Sequence, residues 1–358
     1  MTFPVLSISK IKSSVLPDET CLSPSKVSFL SDGCGASEML RLKLKTAYAG
    51  SSMEYSTIPS NPYAPITGNV LHRLANYCSH LKEWDEDKIF DMAEKYIQDE
   101  FQKLKEQWPM LGNSRWRFDY GKVYDLIDSI SAKRSNTTKE GSQGKVYTEK
   151  NLDCNSTLGL FGKPDYFWVN GEEAVIKDYK TGEITDEKGD VKDSYKVQLN
   201  LYRLMIEEEY PEVRDVKMAI EDLRGKSWPV KKIEDDVLHC MIDKVQTSIS
   251  VAEYKPGTHC HSCGSRHICL KREWPNIDSL DYLEFKGNVS FNEGGLRLHD
   301  MERNLTIEIS RTEDSSEFYQ VLSAMSGKII YLTNLKKISE APLICILTSS
   351  TIGCELES

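Results

Sequence analysis

Residues 159–182 read GLFGKPDYFWVNGEEAVIKDYKTG, two short runs of aromatic and β-branched residues separated by an Asn-Gly step. Such runs favour β-strands, and an Asn-Gly step between them is typical of a tight hairpin turn. Strand pairing across this turn would bring Asp165 and Asp178 to one end of the hairpin. Because side chains alternate along a strand, Asp178 and Lys180 share one face. The stretch therefore predicts a hairpin that carries two carboxylates and one ammonium group at one end.

These three charged side chains fit metal-assisted hydrolysis of a phosphodiester. Asp165 and Asp178 can hold Mg²⁺ or Mn²⁺, since such hard cations prefer oxygen ligands. The ammonium group of Lys180 can position the attacking water and stabilise the charge that develops on the phosphorane. An Asp-x-Lys tripeptide also occurs by chance on exposed strands, where its charges are simply solvated. The rest of the chain has to decide between these two interpretations.

Composition limits the class of protein. The chain of 358 residues is long enough for two domains, and its formal net charge of −10 argues against a protein that coats nucleic acid by bulk electrostatics. A local basic groove remains compatible with that charge. No stretch approaches the ~20 apolar residues of a membrane-spanning helix, and the first residues lack the apolar core of a signal peptide. We therefore expect a cytoplasmic protein without a membrane partner.

Amphipathic helices are predicted on both sides of the hairpin. Residues 69–111 place apolar side chains every three or four positions, which indicates at least two helices. Residues 194–209 predict another helix, on which Gln198 and Tyr202 share a face. The polar stretch 135–153, rich in lysine and serine, predicts a loop. Each of these features alone fits an ordinary folded domain.

Four short motifs lie on the hairpin and the flanking helices. In chain order they are Gly68-x3-His72, Gly162-x2-Asp165, Asp178-x-Lys180 and Gln198-x3-Tyr202. This series resembles the RecB-type nucleases of the PD-(D/E)XK superfamily, and the wording GKPD that ends at the first aspartate matches that family. The ordered series is far more specific than any single motif, because a lone histidine or a Gln-x3-Tyr pair is usually an ordinary core or surface feature.

The resemblance implies both a fold and a set of site residues. The implied fold is α/β, a restriction-endonuclease-like core in which a central mixed sheet is flanked by helices. His72, Asp165 and Asp178 are implied as ligands of Mg²⁺ or Mn²⁺, and Lys180 as the catalytic cation. The residues implied to act in catalysis or to support it are Asp165, Asp178, Lys180, Gln198 and Tyr202.

A second metal centre is predicted in a cysteine-rich loop. Cys260-x2-Cys263-x5-Cys269 has a spacing that can close thiolates around a metal, with a fourth ligand elsewhere. Ten cysteines in a large chain without a secretion signal favour metal binding over disulfides. The stretch from Cys21 to Cys34, with its Ser-Pro-Ser segment, resembles the N-terminal region of iron–sulfur RecB-type nucleases. That resemblance implies a [4Fe–4S] cluster held by Cys34, Cys260, Cys263 and Cys269.

Zinc is the alternative occupant of this centre. His259, His261 and His267 lie in the same loop, and a mixture of nitrogen and sulfur ligands suits zinc. Cys21 is the alternative to Cys34 as the first ligand, because Gly35 stands where the family often has proline.

The cysteine-rich loop is also basic. No acidic residue lies between Lys255 and Arg272. Such a break in the charge of an acidic protein predicts a local contact with the DNA backbone, although a loop that is simply basic is the plain alternative. The basic residues concerned are Lys255, Arg266, Lys271 and Arg272.

The last part of the chain predicts a second domain, with residues 1–278 forming the nuclease domain and residues 279–358 a small β-rich domain. Three strand-like runs, a short helix and two further strand-like runs follow the order of an OB-fold, a small β-barrel that commonly binds single strands. A packing or protein-docking module is the alternative. The aromatic and basic side chains expected to contact single-stranded DNA are Phe291, Arg297, Tyr331, Lys336 and Lys337.

Together these features predict a metal-dependent deoxyribonuclease. The resemblance implies an exonuclease on single-stranded DNA ends, in DNA repair, recombination or defence. The alternative is a non-catalytic DNA-binding or scaffold subunit of a larger nuclease or helicase complex, but the intact Asp165, Asp178 and Lys180 argue against it. The sequence contains no G-x4-G-K-[ST] motif, so any unwinding of duplex is expected from a partner helicase.

Overall fold

The computed structural model describes most of the 358 residues. The described ranges are 5–14, 21–30, 34–49, 61–81, 83–108, 111, 117–137, 144–222, 224–257, 260, 263–269, 274, 280–300, 302–313, 315–348 and 351–357.

Helices dominate the first part of the described chain. Its elements are β1 (Val5–Ser7), α1 (Ile8–Ser13), α2 (Pro24–Leu30), α3 (Gly35–Ala47), α4 (Ala64–His80), α5 (Glu86–Gln107) and α6 (Gly121–Thr137). The middle part alternates strands and helices. Its elements are β2 (Lys145–Thr148), β3 (Leu152–Cys154), α7 (Asn155–Leu158), β4 (Leu160–Gly162), β5 (Tyr166–Asn170), β6 (Glu173–Lys180), α8 (Asp193–Glu209), β7 (Asp215–Asp222), β8 (Ser227–Val230) and α9 (Asp235–Ser250).

Strands dominate the last part. Its elements are β9 (Tyr282–Asn292), β10 (Gly295–Asp300), β11 (Leu305–Ser310), α10 (Ser316–Ala324), β12 (Ile329–Glu340), β13 (Leu343–Ile346) and β14 (Ile352–Glu357).

A mixed five-stranded sheet in the order β2-β5-β6-β7-β8 forms the centre of the α/β part. Strands β6 and β7 are parallel, and the other neighbours are antiparallel. The hairpin predicted from the sequence is β5-β6, but Asn170 pairs with Glu173, so Gly171 and Glu172 form the turn. Gly171 has a φ of 58°, a left-handed conformation that glycine adopts without strain. The turn therefore lies one residue later than the Asn-Gly step predicts.

Strand β2 lies inside the stretch that the sequence predicted to be a loop. It pairs antiparallel with β5 at the edge of the sheet, where Tyr147 is opposite Phe167. The two rings stack with centroids 4.6 Å apart, and this contact anchors the strand. The loop prediction was wrong for this segment, because a short and largely exposed edge strand has little of the apolar alternation that identifies a strand.

The two long helices α4 and α5 correspond to the predicted helical region and pack against each other. Helix α5 begins after Asp85, whose carboxylate accepts a hydrogen bond from the backbone N–H of Lys88 at 3.1 Å. This side chain satisfies one of the free N–H groups of the first turn. The buried apolar positions of α5 are spaced to form one stripe along the helix. They are Ile89, Ala93, Ile97 and Leu104.

Helix α8 is the most deeply buried helix of the α/β part, with every residue from Val197 to Ile206 buried. It packs against α2, α9, β3, β6 and β7, so it is covered on several sides. Its buried polar residues therefore need partners. Arg203, for example, forms ion pairs with Glu207 and Asp235. The helix is thus held in a fixed position, which matters because it carries two of the predicted site residues.

The C-terminal strands form a closed five-stranded barrel. Strands β9, β10, β11, β13 and β12 follow one another around it, and the pairing of β12 with β9 closes the ring. Strands β11 and β13 are parallel, and the other neighbours in the ring are antiparallel. Helix α10 connects β11 to β12. Closure leaves no unpaired strand edge within the ring.

Two further strands extend the barrel sheet. Strand β14 pairs with β12, and β1 pairs in parallel with β14, so that Val5 is opposite Glu355. The N-terminal strand therefore belongs to the sheet of the C-terminal barrel. The boundary between residues 278 and 279 stays a prediction, with the qualification that β1 lies on the barrel side. None of the helices in the described ranges has the length and apolarity needed to cross a membrane.

Candidate active site

His72 and Asp165 meet where helix α4 passes the start of strand β5. His72 Nδ1 lies 3.3 Å from Asp165 Oδ1. Burial alone would lower the pKa of His72, but the hydrogen bond to Asp165 and the charges of Asp165 and Asp178 outweigh burial and raise the pKa above 6.5. The other carboxylate oxygen of Asp165 accepts a hydrogen bond from the backbone N–H of Tyr179 at 2.7 Å. Asp165 is thereby fixed to the strand that carries Asp178.

Asp178, Lys180 and Gln198 form a closed set of contacts. Lys180 Nζ lies 2.6 Å from Asp178 Oδ2 and donates a hydrogen bond to Gln198 Oε1 at 3.1 Å. Gln198 Nε2 in turn donates to Asp178 Oδ1 at 3.1 Å. The two strand residues share a face, as the alternation of side chains predicts. Gln198 contacts both from the buried helix α8.

The contact between Lys180 and Asp178 is an ion pair rather than an aligned hydrogen bond. Among the described residues, Asp178 Oδ2 has no hydrogen-bond partner although it is buried. The two groups still attract each other strongly at 2.6 Å, because Coulomb attraction does not depend on the donor angle. Burial and the neighbouring charge of Asp165 raise the pKa of Asp178 to about 6. Two carboxylates that repel each other at a buried position are an arrangement that a cation would stabilise.

Tyr202 supports the segment that leads into strand β5. Its hydroxyl donates a hydrogen bond to the backbone carbonyl of Lys163 at 3.1 Å. Its ring also explains the glycine of the second motif, because a Cβ at Gly162 would lie 2.9 Å from Tyr202 Cε1 and 2.9 Å from Pro24 Cδ. Gly162 therefore allows the chain to pass closely between α2 and α8 just before Asp165. By contrast, no heavy atom of the described structure lies within 4 Å of a Cβ at Gly68.

The structure thus brings together the six residues that the motifs identified, and adds three contacts that sequence reasoning missed. Lys180 Nζ lies over the ring of Tyr195 at 4.9 Å, the backbone of Tyr179 anchors Asp165, and Lys163 forms an ion pair with Glu149 at 3.2 Å. A backbone N–H carries no sequence signal. Tyr195 lies three residues before Gln198, a spacing that could have identified it as a neighbour on the same helix.

The donor atoms of this site suit a hard divalent cation. Within the described ranges, no set of three or more His, Cys, Asp and Glu side chains forms a ready metal-binding group. His72, Asp165 and Asp178 nevertheless interact electrostatically, and two of these three residues supply carboxylate oxygens. Carboxylate oxygens are the ligands that Mg²⁺ and Mn²⁺ prefer. The residues present therefore fit such an ion.

Cys34 lies near the cysteine-rich loop, where it interacts electrostatically with Cys263. Burial raises the pKa of Cys263, and the neighbouring Cys269 and Cys34 raise it further. The backbone N–H of Lys255 donates to Cys34 Sγ at 3.4 Å, and that of Gly257 donates to Cys260 Sγ at 3.4 Å. Within the described part of the chain, these thiols are not arranged as a group of three or more metal ligands, so the cluster stays a prediction.

Close packing against Ser248 explains why position 35, immediately after the predicted ligand Cys34, is a glycine. A Cβ at this position would lie 2.1 Å from Ser248 Oγ and 2.3 Å from the Ser248 carbonyl oxygen. Helix α3 therefore begins in direct contact with α9, and no side chain fits there. Cys34 immediately precedes this contact, and its thiol donates to the Glu253 carbonyl at 3.6 Å. The fallback ligand Cys21 is exposed.

The basic-loop prediction is wrong for one of its residues. Arg266 is buried and forms an ion pair with Glu284 of β9, and it also donates to Thr333 Oγ1 at 3.3 Å. This side chain attaches the cysteine-rich loop to the barrel, so it is not available to DNA. Lys255 forms an ion pair with Glu253 at 3.5 Å. Lys271 and Arg272, the other two basic residues of that prediction, lie outside the described residues, as do His259 and His261. His267 is buried, and its ring lies beside that of Tyr331.

The barrel residues predicted to contact single-stranded DNA differ in exposure. Tyr331 is fully buried and donates to Glu284 at 2.7 Å, so the prediction that it stacks on a base is wrong. Arg297 pairs with Glu308 at 3.1 Å, and Lys337 pairs with Glu340 at 2.9 Å. The two members with exposed side chains are Phe291 and Lys336.

Comparison with known proteins identifies the family. The sequence matches the model of the PD-(D/E)XK nuclease superfamily over residues 48–270, more than half of the chain and a span that contains all four motifs. The chain therefore belongs to the PD-(D/E)XK nuclease superfamily, whose members are mostly nucleases that typically use Mg²⁺ or Mn²⁺ and act on DNA. The α/β part described above is its nuclease fold.

The other comparisons add little. No curated protein matches the sequence. Four chains among the solved structures match it. One, described as "Crystal structure of SSO0001", is 14% identical over 59% of this chain and 99% of that chain, with a TM-score of 0.26. At that TM-score the similarity carries no argument about this protein.

Proposed function

We propose that the protein is a metal-dependent deoxyribonuclease of the RecB type that acts on the ends of single-stranded DNA. The observation that carries this proposal is the set of contacts among Asp178, Lys180 and Gln198 beside the pair of His72 and Asp165. A scaffold subunit that only binds DNA would have no use for a buried carboxylate whose pKa is raised by a second carboxylate.

The proposed metal ligands are His72, Asp165 and Asp178. A bound Mg²⁺ or Mn²⁺ would polarise a phosphoryl oxygen and lower the pKa of water. The protein itself supplies fixed ligands, because Asp165 is held by the backbone of β6 and Asp178 by Gln198. Ligands held by their own hydrogen bonds keep their orientation when substrate binds.

Lys180 is proposed as the catalytic cation. Its ammonium group is held by Asp178, Gln198 and the ring of Tyr195, and its side chain remains about one-fifth exposed. An ammonium group in such a partly dry position can orient a water molecule and stabilise the negative charge that develops during phosphodiester cleavage. Gln198 positions Lys180 and Asp178, and Tyr202 positions the segment that precedes Asp165.

The cysteines are proposed to hold a [4Fe–4S] cluster, with zinc as the alternative. Cys34 is bound to the backbone of residues 253–255, while Ser265 of the cysteine-rich loop donates to the Ser37 carbonyl at 2.8 Å. These contacts already bring the beginning of helix α3 to the loop. A cluster at this place would fasten two segments of the nuclease domain that are far apart in sequence.

The barrel is proposed to be OB-like and to bind single-stranded DNA. Its five strands, the parallel contact of β11 with β13 and the helix between the third and fourth strands support this assignment. Phe291, about half exposed, offers a stacking surface, and the exposed Lys336 offers a phosphate contact.

The proposed setting is DNA repair, recombination or defence, in the cytoplasm and together with a partner helicase or another protein of that pathway. All ten cysteines lack disulfide bonds, which is the usual state of thiols in a reducing compartment. Single-stranded substrate would then come from the partner, because the chain itself has no phosphate-binding loop of the helicase type.

The test is cleavage of end-labelled single-stranded and double-stranded DNA by purified protein in Mg²⁺, Mn²⁺ or EDTA. We expect cleavage of single strands that depends on the metal and proceeds from an end. Asp165→Ala and Lys180→Ala should each reduce the rate at least ~100-fold while DNA binding persists. Lys188→Ala, a change at an exposed lysine in the turn after β6, should leave the rate unchanged.

The outcome also decides between nuclease and scaffold. DNA binding without cleavage in any metal would replace the nuclease proposal by the scaffold alternative. Equal activity of wild-type protein and Lys180→Ala would show that a contaminating nuclease causes the cleavage, or that another residue has this role.

A further inference from the structure

A cavity of about 160 Å³ lies between α4, α6 and the central sheet. His72 and Asp165 are part of its lining, so the cavity is continuous with the candidate active site. Most of the remaining lining residues have no role in the chemistry proposed above. The cavity therefore has space for a part of the substrate that does not react.

The walls of the cavity are largely apolar. Ala75 comes from α4, and Leu126 and Ile130 come from α6. The lining also includes Tyr166 and Tyr179 from the sheet. Apolar and aromatic walls with a few polar groups are typical of pockets that bind the organic part of a ligand.

The charges of the lining disfavour a second phosphate group, beyond the one at His72 and Asp165, as the occupant. Three lining residues are acidic, Glu149, Asp165 and Asp222, and no lysine or arginine is among the described lining residues. The Asp222 carboxylate is fixed by backbone hydrogen bonds from Arg224 and Lys226, each 2.9 Å long. Acidic walls repel a second phosphate, whereas a neutral ring encounters no such repulsion.

Polar groups in the lining can form hydrogen bonds with the polar edge of a heterocyclic ring. Thr148 donates a hydrogen bond to Asn76 Oδ1 at 3.1 Å, which fixes the orientation of the Asn76 amide in the lining. Ser129 contributes a hydroxyl group from α6. A nucleobase has flat apolar faces and a polar edge, so it matches walls of this composition.

We propose that this cavity is a nucleobase subsite, which receives the base of the nucleotide whose phosphate lies at His72 and Asp165. The proposal rests on the proposed nuclease function, because it takes the scissile phosphate as the fixed point. The base is joined to that phosphate through one sugar, and the cavity is lined by the same two residues. Cleavage would then depend on a base at one defined position of the strand.

The experiment replaces one nucleotide at a time with an abasic residue near the end of a single-stranded oligonucleotide. Binding is measured by fluorescence anisotropy in Ca²⁺, and cleavage is measured in Mg²⁺. We expect one position at which loss of the base weakens binding to wild-type protein roughly 5- to 150-fold, the range of one stacked base. The other positions should have smaller effects.

Two variants fill the cavity from different helices, Ser129→Leu and Ala75→Leu. Each should weaken binding of the intact oligonucleotide and remove the difference between intact and abasic substrate. The matched control is Asp128→Leu, which adds the same side chain at an exposed neighbour on α6 and should keep the wild-type difference. Thermal unfolding of the three variants identifies any variant that fails to fold. The comparison of intact and abasic substrates with wild-type protein tests the proposal independently of the variants.

Each outcome bears on one of the two proposals. If cleavage occurs and every abasic substrate behaves like the intact one, the subsite is overturned and the nuclease stands. If binding depends on one base but no metal supports cleavage, the subsite stands and the nuclease is overturned. If the protein neither binds nor cleaves DNA, the subsite proposal and the nuclease proposal are both overturned.

Discussion

Gln198 connects Lys180 to Asp178 through both ends of one carboxamide, since its oxygen accepts from the lysine and its nitrogen donates to the aspartate, each at 3.1 Å. A hydrogen-bonded side chain that fixes two others usually matters for rate more than for binding. Gln198→Leu should therefore lower the cleavage rate about 10- to 100-fold with a smaller change in KM.

If Gln198 only stabilised the fold, the loss of rate in its variants would follow their loss of thermal stability. Single-turnover rates and thermal unfolding are measured together on Gln198→Leu and Gln198→Glu. Partial recovery of the rate in Gln198→Glu, which keeps an acceptor for Lys180, would support positioning. A rate loss that follows thermal stability in both variants would contradict it. Gln246→Leu in α9 provides a glutamine control away from these contacts.

Gly162 is expected to tolerate no side chain. Gly162→Ala places a methyl group 2.9 Å from Pro24 Cδ and Tyr202 Cε1, so α2 or α8 must move. We expect a loss of about 1–3 kcal/mol of unfolding free energy and a lower cleavage rate, because Asp165 follows three residues later. Gly182→Ala is the matched control, since no described atom lies within 4 Å of the added Cβ. Equal stability of the two variants would refute the steric explanation.

The ion pairs of Glu38 are expected to make the free energy of unfolding depend on pH. It is buried in α3 and pairs with Lys26 at 3.0 Å and with Arg41. Burial alone would raise the pKa of Glu38, but the hydrogen bond from Arg41 and the charges of Lys26 and Arg41 lower the pKa below its usual 4.5. A depressed pKa stabilises the folded state above the unfolded pKa, and this stability is lost as the pH falls through the folded pKa.

The comparison is between wild type and Glu38→Gln across the acidic range. Glu38→Gln should be less stable by about 1.5–3 kcal/mol near neutral pH, and the difference should shrink below about pH 4.5. Denaturant unfolding at several pH values measures it, with Glu212→Gln, an exposed site, as the control. A difference that stays constant with pH would mean that packing rather than charge explains the loss.

The cysteine centre predicts a coloured protein. Protein purified without oxygen should be brown and contain iron and sulfide, and Cys263→Ser should lose colour, iron and thermal stability together. Cys240→Ser, at an exposed cysteine of α9, should keep all three. Colourless protein with one equivalent of zinc would reverse the assignment in favour of zinc.

Two exposed residues of the barrel, Phe291 and Lys336, are expected to contribute to the binding of single-stranded DNA. Phe291→Ala should weaken binding of single-stranded DNA roughly 5- to 150-fold, and Lys336→Ala should reduce the salt dependence by about one charge. Phe29→Ala, at an exposed phenylalanine of α2, is the control. Unchanged affinity and salt slope in both barrel variants would favour a protein-docking role for the barrel.

Point variants are better than removal of the barrel for this test. Arg266 in the nuclease domain pairs with Glu284 in the barrel, and truncation after residue 278 would leave this arginine buried without its partner. Breaking a buried ion pair by removing one partner is strongly destabilising. Loss of activity in a truncated protein would therefore not show that the barrel binds DNA.

The hairpin and helices α4, α5, α8 and α10 could be predicted from sequence because their signals are local. The alternation around Asp178 and Lys180 and the turn residues between the strands lie within a few positions of one another. Strand β2 was missed because a short and largely exposed edge strand shows little apolar alternation. The burial of Tyr331 was missed because its partner Glu284 and its neighbour Arg266 come from other segments, which no local pattern reveals.

The parallel pairing of β1 with β14 places Val5–Ser7 against Glu355–Glu357. During synthesis, Val5–Ser7 emerges long before Glu355–Glu357, so this part of the sheet forms only after the intervening residues have been translated. A contact of such large sequence separation also forms late in folding, because the intervening chain must be ordered first. An N-terminal fusion or tag that holds Val5–Ser7 away from the barrel should therefore disturb the C-terminal sheet, although the two lie at opposite ends of the sequence.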